Sequence, residues 1–393
     1  MRQFYKMDCI DILDCLDNIV VGLFGVSILI QLTYYLFVYL KVAVRKEDQI
    51  ASQGDRLQPV SVIVCARNEE DDLAENLALI LEQEYPDYEV IVVNDCSEDN
   101  TEQLLAEFKQ KYSHLRTTII KNDGSFLNFR KFANTVGIKA AQHEWLLFTY
   151  ADCRPQSKQW IASMSKYFVE KKDIVLGYCS YHSSAGFLNK WIRYDACFTA
   201  MQHFAFALLG KAYSGVGRNL AYRKSLFFAN SGFAVHAHVL SDDDGLFVNK
   251  ASKKHNVAVI DVDTARVKSK AHKTFKEWMW QKSKQIASSR FYSGAQSLGL
   301  TLEPLSRAFM WLTFAALMVI FPVFWQYILA GFLLRMIVFM LIVRAVCIKL
   351  NEPGILKYAV FFDFVMPFVH LYLFLFNRIQ NIVNGRKRRH IIS

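Results

Sequence analysis

The sequence predicts an α/β domain built on a mainly parallel sheet, with apolar helices before and after it. Two observations carry this. Between residues 60 and 152, short β-branched runs alternate with segments of helical periodicity, the rhythm of a sheet covered by helices on both faces. The hydrophobic residues, 53% of the 393, are concentrated at 19–40 and after 307, so membrane spans must be marked before the fold is considered.

Residues 18–40, NIVVGLFGVSILIQLTYYLFVYL, carry no charge and are long enough to cross a hydrocarbon core as a helix. Asp8, Asp11, Asp14 and Asp17 precede the run and no small-residue cleavage site follows it, which fits a signal peptide poorly. Lys41, Arg45 and Lys46 come next. The positive-inside rule therefore puts the N-terminus outside and the following domain in the cytoplasm. Residues 308–334 are again free of charge, and 357–376 are broken only by Asp363 after Lys357 at their start. The piece between them, 335–348, contains Arg335 and Arg344. It fits a third C-terminal span, half of a hairpin, or a helix at the interface. Arg386, Lys387, Arg388 and Arg389 in the tail favour a cytoplasmic C-terminus and hence two crossings after the soluble region over three.

In the soluble region, SVIVCA (61–66) is a short strand and DDLAENLALILEQ (71–83) a helix. YEVIVVND (88–95) is a second buried strand, leading into SEDNTEQLLAEFKQKY (97–112), a helix that Ser97 or Asp99 could cap. RTTIIKND (116–123) is a third strand, KFANTVGIKAA (131–141) a helix and EWLLFTYAD (144–152) a fourth strand. Ligands of such sheets sit beyond the carboxyl ends of the strands. Polar candidates fall there: Arg67, Asn68 and Glu69, then Asn94 and Asp95, then Asp152. No GxGxxG opens the first strand and no GxxxxGK[ST] occurs, which speaks against a Rossmann site and a P-loop.

The formal charge of +10 could suggest nucleic-acid binding. The basic residues cluster instead at membrane borders and between Arg266 and Lys284, a placement suited to anionic lipid. The 8 cysteines are scattered without a CxxC pair and are expected to stay reduced in a cytoplasmic domain.

The ordered set SVIVCARNEE, VIVVNDCSEDNT, TYADC, GVGRNLAYRKSLF, SDDD and WMWQKSKQ resembles a family 2 inverting glycosyltransferase with the GT-A fold. The similar branch is the membrane-embedded one that includes cellulose, hyaluronan and poly-N-acetylglucosamine synthases. The resemblance covers 59–306 and extends to the flanking helices. The absence of both phosphate fingerprints agrees with a sugar-nucleotide domain, where a divalent cation holds the diphosphate.

The resemblance implies that Ala66, Arg67, Glu69 and Asp95 bind the base and ribose. The residue types agree, since carboxylates at strand ends can accept from a ribose hydroxyl or a base N–H. Lys131 matches the basic residue that reaches the diphosphate. The family's Asp-Ala-Asp reads Tyr150, Ala151, Asp152 here. The metal-bound second carboxylate survives as Asp152, while the first has become a phenol that can hydrogen-bond ribose but carries no charge. The implied cation is Mg2+ or Mn2+, with diphosphate oxygens completing its ligands. GVGRNLAYRKSLF (215–227) resembles the acceptor side of the cleft, with Gly215 and Gly217 permitting close backbone approach and Asn219 holding the loop. The run of Asp242, Asp243 and Asp244 occupies the place of the family's Thr-Glu-Asp, whose Asp is the general base. Asp243 is the best match, and the same carboxylates could cap a helix at 245–252. WMWQKSKQ (278–285) resembles the Gln-x-x-Arg-Trp motif. Gln281 matches, Lys284 keeps charge without a bidentate fork, and Gln285 replaces the stacking Trp, for which Trp278 or Trp280 could substitute.

The expected organisation is a tail (1–17), a transmembrane helix (18–40), a GT-A catalytic domain (59–265), an interfacial helical segment (266–306), two or three transmembrane helices (307–376) and a basic tail (377–393). The expected activity is metal-dependent inverting transfer from a nucleotide-sugar, UDP-linked, to a saccharide or lipid-linked acceptor. The expected location is the cytoplasmic face of a bacterial inner membrane, among membrane lipids and polysaccharide-export proteins and without nucleic acid. The alternatives are a processive polysaccharide synthase and a catalytically weakened scaffold subunit of an export complex.

Overall fold

The structure, a computed structural model, describes residues 9–46, 57–120, 129–234 and 243–392, with side chains described for these except 9–16, 129, 243 and 380–392. The chain divides into two compact units. One comprises residues 1–43, 293–345 and 356–393, and the other 44–292 and 346–355.

In chain order the first helix is α1 (Cys9–Thr33), continued through a π-helical stretch at Tyr34–Tyr39 into α2 (Leu40–Val44). The second unit follows with β1 (Val60–Ala66), α3 (Glu70–Leu81), β2 (Tyr88–Asp95), α4 (Thr101–Lys111), β3 (Leu115–Ile120), α5 (Phe129–Ala140) and β4 (Trp145–Tyr150). It continues with β5 (Cys153–Pro155), α6 (Trp160–Ser165), β6 (Ile174–Gly177), β7 (Cys179–Tyr181), α7 (Phe187–Leu208), β8 (Leu220–Arg223) and α8 (Lys224–Ala229). It closes with α9 (Asp243–Ala251), β9 (Val257–Ile260), β10 (Val267–Ser269) and α10 (Phe275–Ala287). The apolar unit resumes with α11 (Gly294–Ile320), α12 (Trp325–Lys349) and α13 (Ala359–Ile392).

The second unit is built on a seven-stranded sheet in the order β3-β2-β1-β4-β8-β6-β9. β1 to β4 are parallel, as the alternation of strands and helices predicts. The departure is β8, which runs antiparallel between β4 and β6. Alternate residues of the central strands, Val60, Val62 and Val64 with Val90, Val92 and Leu147, pack with Leu73, Leu77 and Trp160 into one core. On the other face α5 lies so close that a Cβ at Gly137 would stand 2.8 Å from Ile63 Cγ2, a crossing only glycine permits. A second sheet, β5-β10-β7, follows the end of β4.

Several boundaries differ from the sequence expectation. The helix expected over 97–112 starts at Thr101, with Asn100 at its N-cap position. Asp99 accepts from the Thr101 and Glu70 amides, while Ser97 Oγ accepts from the Asn68 amide. Both side chains are used to tie the turn after β1 to the turn after β2. The strand expected over 144–152 ends at Tyr150, so Ala151 and Asp152 lie in a turn. The helix expected at 245–252 begins at Asp243, which places two of the three acidic residues in its first turn.

Among the described residues, four helices are long and apolar enough to cross a membrane: Asp17–Val44, Gly294–Ile320, Pro322–Lys349 and Pro353–Ile379. Three of them follow the globular unit. The charge-free stretch 308–334 is broken at Phe321–Pro322, where Pro cannot continue the preceding helix. Arg335 and Arg344 then fall within a full-length helix.

Within the apolar unit four buried charged side chains, Glu303, Arg307, Arg335 and Asp363, form one paired cluster. Arg335 and Asp363 form a bidentate pair. Arg307 lies 3.0 Å from Glu303 and 3.6 Å from Asp363. Gln31 accepts from Arg335 and donates to the Glu303 carbonyl and Ser306. Two cations thus meet two carboxylates, so the cluster is formally neutral where an isolated charge would be costly.

Candidate active site

Three adjacent parallel strands of the large sheet, β2, β1 and β4, end on one side. β1 ends at Ala66, 1% exposed and in register with Asn94. The chain then turns through Asn68 in the left-handed region (φ 55°), a conformation Asn tolerates better than most residues. Arg67 is exposed and Glu69 half-buried. The Glu69 amide donates to Thr101 Oγ1 at 3.3 Å, and Asn68 Oδ1 accepts from the Glu98 amide at 2.8 Å. The two turns are therefore one hydrogen-bonded assembly.

Burial, then the Asp72 hydrogen bond and charge and the charge of Asp152, push the Glu69 carboxyl up to about 7. Asp95, at the end of β2, is 5% exposed, and its Oδ1 has no hydrogen-bond partner among the described residues. Burial raises its pKa against the opposing Arg67, Cys96 and Arg130. A buried carboxylate oxygen without a donor is an unsatisfied acceptor, and a ligand hydroxyl or N–H would complete it. Lys131, on the first turn of α5, is 5% exposed.

Tyr150 closes β4. The Arg130 guanidinium stacks 4.2 Å over its ring centroid, and its phenol donates to Asp244 Oδ2 at 3.3 Å. Ala151 is buried, and its carbonyl accepts from Asn76 at 3.0 Å. Asp152 is half-buried. Its Oδ2 accepts from the Ser269 hydroxyl at 2.5 Å, while Oδ1 is met, among the described residues, by the Cys153 thiol at 3.4 Å. No cluster of three or more His, Cys, Asp or Glu side chains suited to a metal occurs among the described residues. Asp152 Oδ1, lightly engaged, fits a hard cation that takes most of its oxygens from a diphosphate and water.

Of the acidic run, Asp242 and the Asp243 side chain lie outside the described residues, and the Asp243 backbone opens α9. Asp244 is 4% exposed. A Cβ on Gly217 would stand 1.7 Å from Asp244 Oδ2, so the close approach Gly217 permits is to the protein's own carboxylate. Gly215 packs against Leu176 and Val248. Asn219 is 1% exposed, donates to the Tyr178 and Ala265 carbonyls and accepts from Trp160 Nε1. It holds the loop, as expected.

A cavity of about 260 Å³ brings Tyr150, Gly217, Gln281, Lys284 and Gln285 together. Gln281 Oε1 meets His272 Nε2 at 2.5 Å and accepts from Tyr181 at 3.4 Å. Lys284 Nζ lies 3.2 Å over the Trp280 ring, which is exposed. The two Trp candidates thus separate: Trp280 is available at the cavity, whereas Trp278 is 2% exposed and donates to Asp195. Lys282, beside it, is paired with Asp195 at 2.8 Å.

Sequence reasoning missed Arg130 and Arg218, both in the cavity wall. Arg218 stacks over Tyr181 at 4.6 Å. Burial opposes its charge, but Tyr181, Cys179, Cys153 and Asp152 around it hold its pKa well above the usual value. It stands inside the GVGRN segment, where the two glycines drew attention instead. It also missed His203, whose pKa burial and then Lys282 push down to about 3, leaving a neutral imidazole in the wall.

Residues 61–228 match the family model described as "Glycosyl transferase family 2". The chain is 28% identical over 119 residues to a poly-beta-1,6-N-acetyl-D-glucosamine synthase of Staphylococcus epidermidis, covering 30% of this chain and 27% of that protein. It is 32% identical over 105 residues to glycosyltransferase AglE of Haloferax volcanii, covering 26% of this chain and 33% of that one. The chain thus spans about a third or less of the length of these relatives in its matches. A mannosyltransferase from Pyrobaculum calidifontis, solved with GDP-Man and Mn2+, superposes with a TM-score of 0.58 over 88% of this chain and 98% of its own, at 17% identity. That likeness is one of fold. Residues 61–228 are therefore a glycosyl transferase family 2 domain.

Proposed function

We propose that this chain transfers a sugar from a nucleotide-activated donor to a saccharide or lipid-linked acceptor at a membrane surface, with inversion at the anomeric carbon. The observation that carries it is the convergence of Glu69, Asp95 and Asp152 at adjacent parallel strand ends, with Asp95 holding an unsatisfied oxygen. That is where an α/β sheet binds its ligand. The names of the relatives support a sugar-transfer chemistry.

In this reading Ala66, Arg67, Glu69 and Asp95 receive the base and ribose, and Lys131 with Lys284 faces the diphosphate. Asp152 would hold Mg2+ or Mn2+ against the diphosphate, and such an ion supplies charge neutralisation for the departing group. The acceptor hydroxyl oxygen bonds to the anomeric carbon as that carbon's bond to the diphosphate oxygen breaks. The hydroxyl proton passes to a carboxylate of the 242–244 run, Asp243 by its register with the family motif. The cavity beside Trp280 and Gln281 takes the acceptor, since an exposed indole offers a face for a sugar ring. Lys41, Arg45 and Lys46 after the first apolar helix support a cytoplasmic side for the domain that follows.

The test is nucleotide release by the detergent-purified chain, with UDP-, GDP- and TDP-sugars, membrane lipid extract, and Mg2+, Mn2+ or chelator. Turnover of one donor that chelator abolishes supports the reading. Every donor remaining intact with lipid and metal present contradicts it.

A further inference from the structure

We propose that Tyr150 is a positioning residue whose phenol latches Asp244, and with it the acidic opening of α9, to the end of β4. This rests on the glycosyltransferase reading above and concerns the position where the family resemblance puts a carboxylate. Three separate segments meet at Asp244. The Tyr150 phenol donates to its Oδ2 from the end of β4. Gly217, from the turn before β8, lies so close that a Cβ would stand 1.7 Å from that oxygen and 3.0 Å from the Tyr150 hydroxyl. Asp244 itself sits in the first turn of α9 and is 4% exposed.

The chemistry requires a donor at position 150. A buried carboxylate beside a second carboxylate repels it, whereas a phenol is neutral near pH 7 and carries one O–H. The Arg130 guanidinium over the ring fixes the plane from which that O–H is aimed. Tyr150 and Asp244 are therefore a matched pair. Replacing the usual carboxylate by tyrosine does not abolish a function of the site. It ties the acidic run to the strand end that carries Asp152.

Steady-state kinetics on the full chain test this, with nucleotide-sugar binding and thermal unfolding recorded for each variant. Tyr150→Phe should lower kcat on the order of 10²-fold, the scale of a misplaced reacting group, with donor KM changed by less than about threefold. Asp244→Asn keeps an acceptor for the phenol and should lose less kcat than Asp244→Ala, which keeps none. Tyr150→Phe with Asp244→Ala should be no worse than the poorer single variant, because both remove the same contact. Tyr150→Asp should be worse than Tyr150→Phe and should recover when Asp244→Asn is added.

Additive losses, a raised donor KM with kcat kept, or a Tyr150→Asp variant more active than wild type would each overturn the latch while leaving the transferase intact. If Asp244→Ala does not fold, the recovery of Tyr150→Asp by Asp244→Asn decides alone. A wild-type chain that turns over no donor overturns both.

Discussion

Arg335 and Asp363 face one another from two apolar helices as a bidentate pair, Nη1 to Oδ2 at 2.6 Å and Nη2 to Oδ1 at 2.8 Å, with neither side chain exposed. Asp363 also accepts from Trp311 Nε1 at 3.0 Å and faces Arg307. One carboxylate therefore ties α11, α12 and α13 together, and Gln31 joins α1 to the same cluster through Arg335.

Removing one partner strands a buried charge, at a cost of about 3–5 kcal/mol. Asp363→Leu should destabilise the detergent-solubilised chain more than Arg335→Met, because it leaves two guanidiniums facing Glu303 alone. The combined variant should lie closer to wild type than Asp363→Leu does. Unfolding midpoints of the three variants check the order.

Glu69 gives a pH dependence with a definite sign. Its carboxyl rises from 4.5 to about 7 on folding. Between those values the folded chain keeps a proton that the unfolded chain has released, so this group's contribution to stability falls as pH rises through the window. Thermal unfolding of wild type should lose more on going from about pH 5 to about pH 8 than that of Glu69→Gln. Equal pH slopes in the two proteins would contradict the assignment.

Asn219 makes three buried hydrogen bonds from a short turn. Asn219→Leu leaves two carbonyls and an indole N–H unsatisfied at about 1–3 kcal/mol each. A loss of at least about 3 kcal/mol in denaturant unfolding is expected, with Asn219→Asp intermediate because it can still accept from Trp160.

How legible each of these features was depended on the length and regularity of its signal. β1, β2 and β4 showed as long β-branched runs beside periodic helices, and the strand-end candidates Glu69, Asp95 and Asp152 followed from them. β6, β8 and β9 are four residues each, too short to carry alternation, so the antiparallel insertion of β8 could not be seen. The break at Phe321–Pro322 lay inside an uninterrupted apolar stretch. Arg335 counted against a span because a lone sequence does not show its partner at Asp363, 28 residues on. Charge counting at 386–389 favoured two later crossings, and among the described residues three helices of spanning length follow the globular unit. Tyr150 stood out as a departure from the family motif, yet its partner Asp244 is 94 residues away, and only the fold brings the two together.

If the strand-end carboxylates serve a nucleotide-sugar, Asp152 is the side chain whose loss reads it most directly. Donor turnover by wild type and Asp152→Asn should be measured side by side at matched folding, with the donor and metal that the panel selects. A loss of at least about 10²-fold in kcat is expected in the variant, the scale of removing one stabilising contact to a developing charge. Turnover equal to wild type in Asp152→Asn would contradict it.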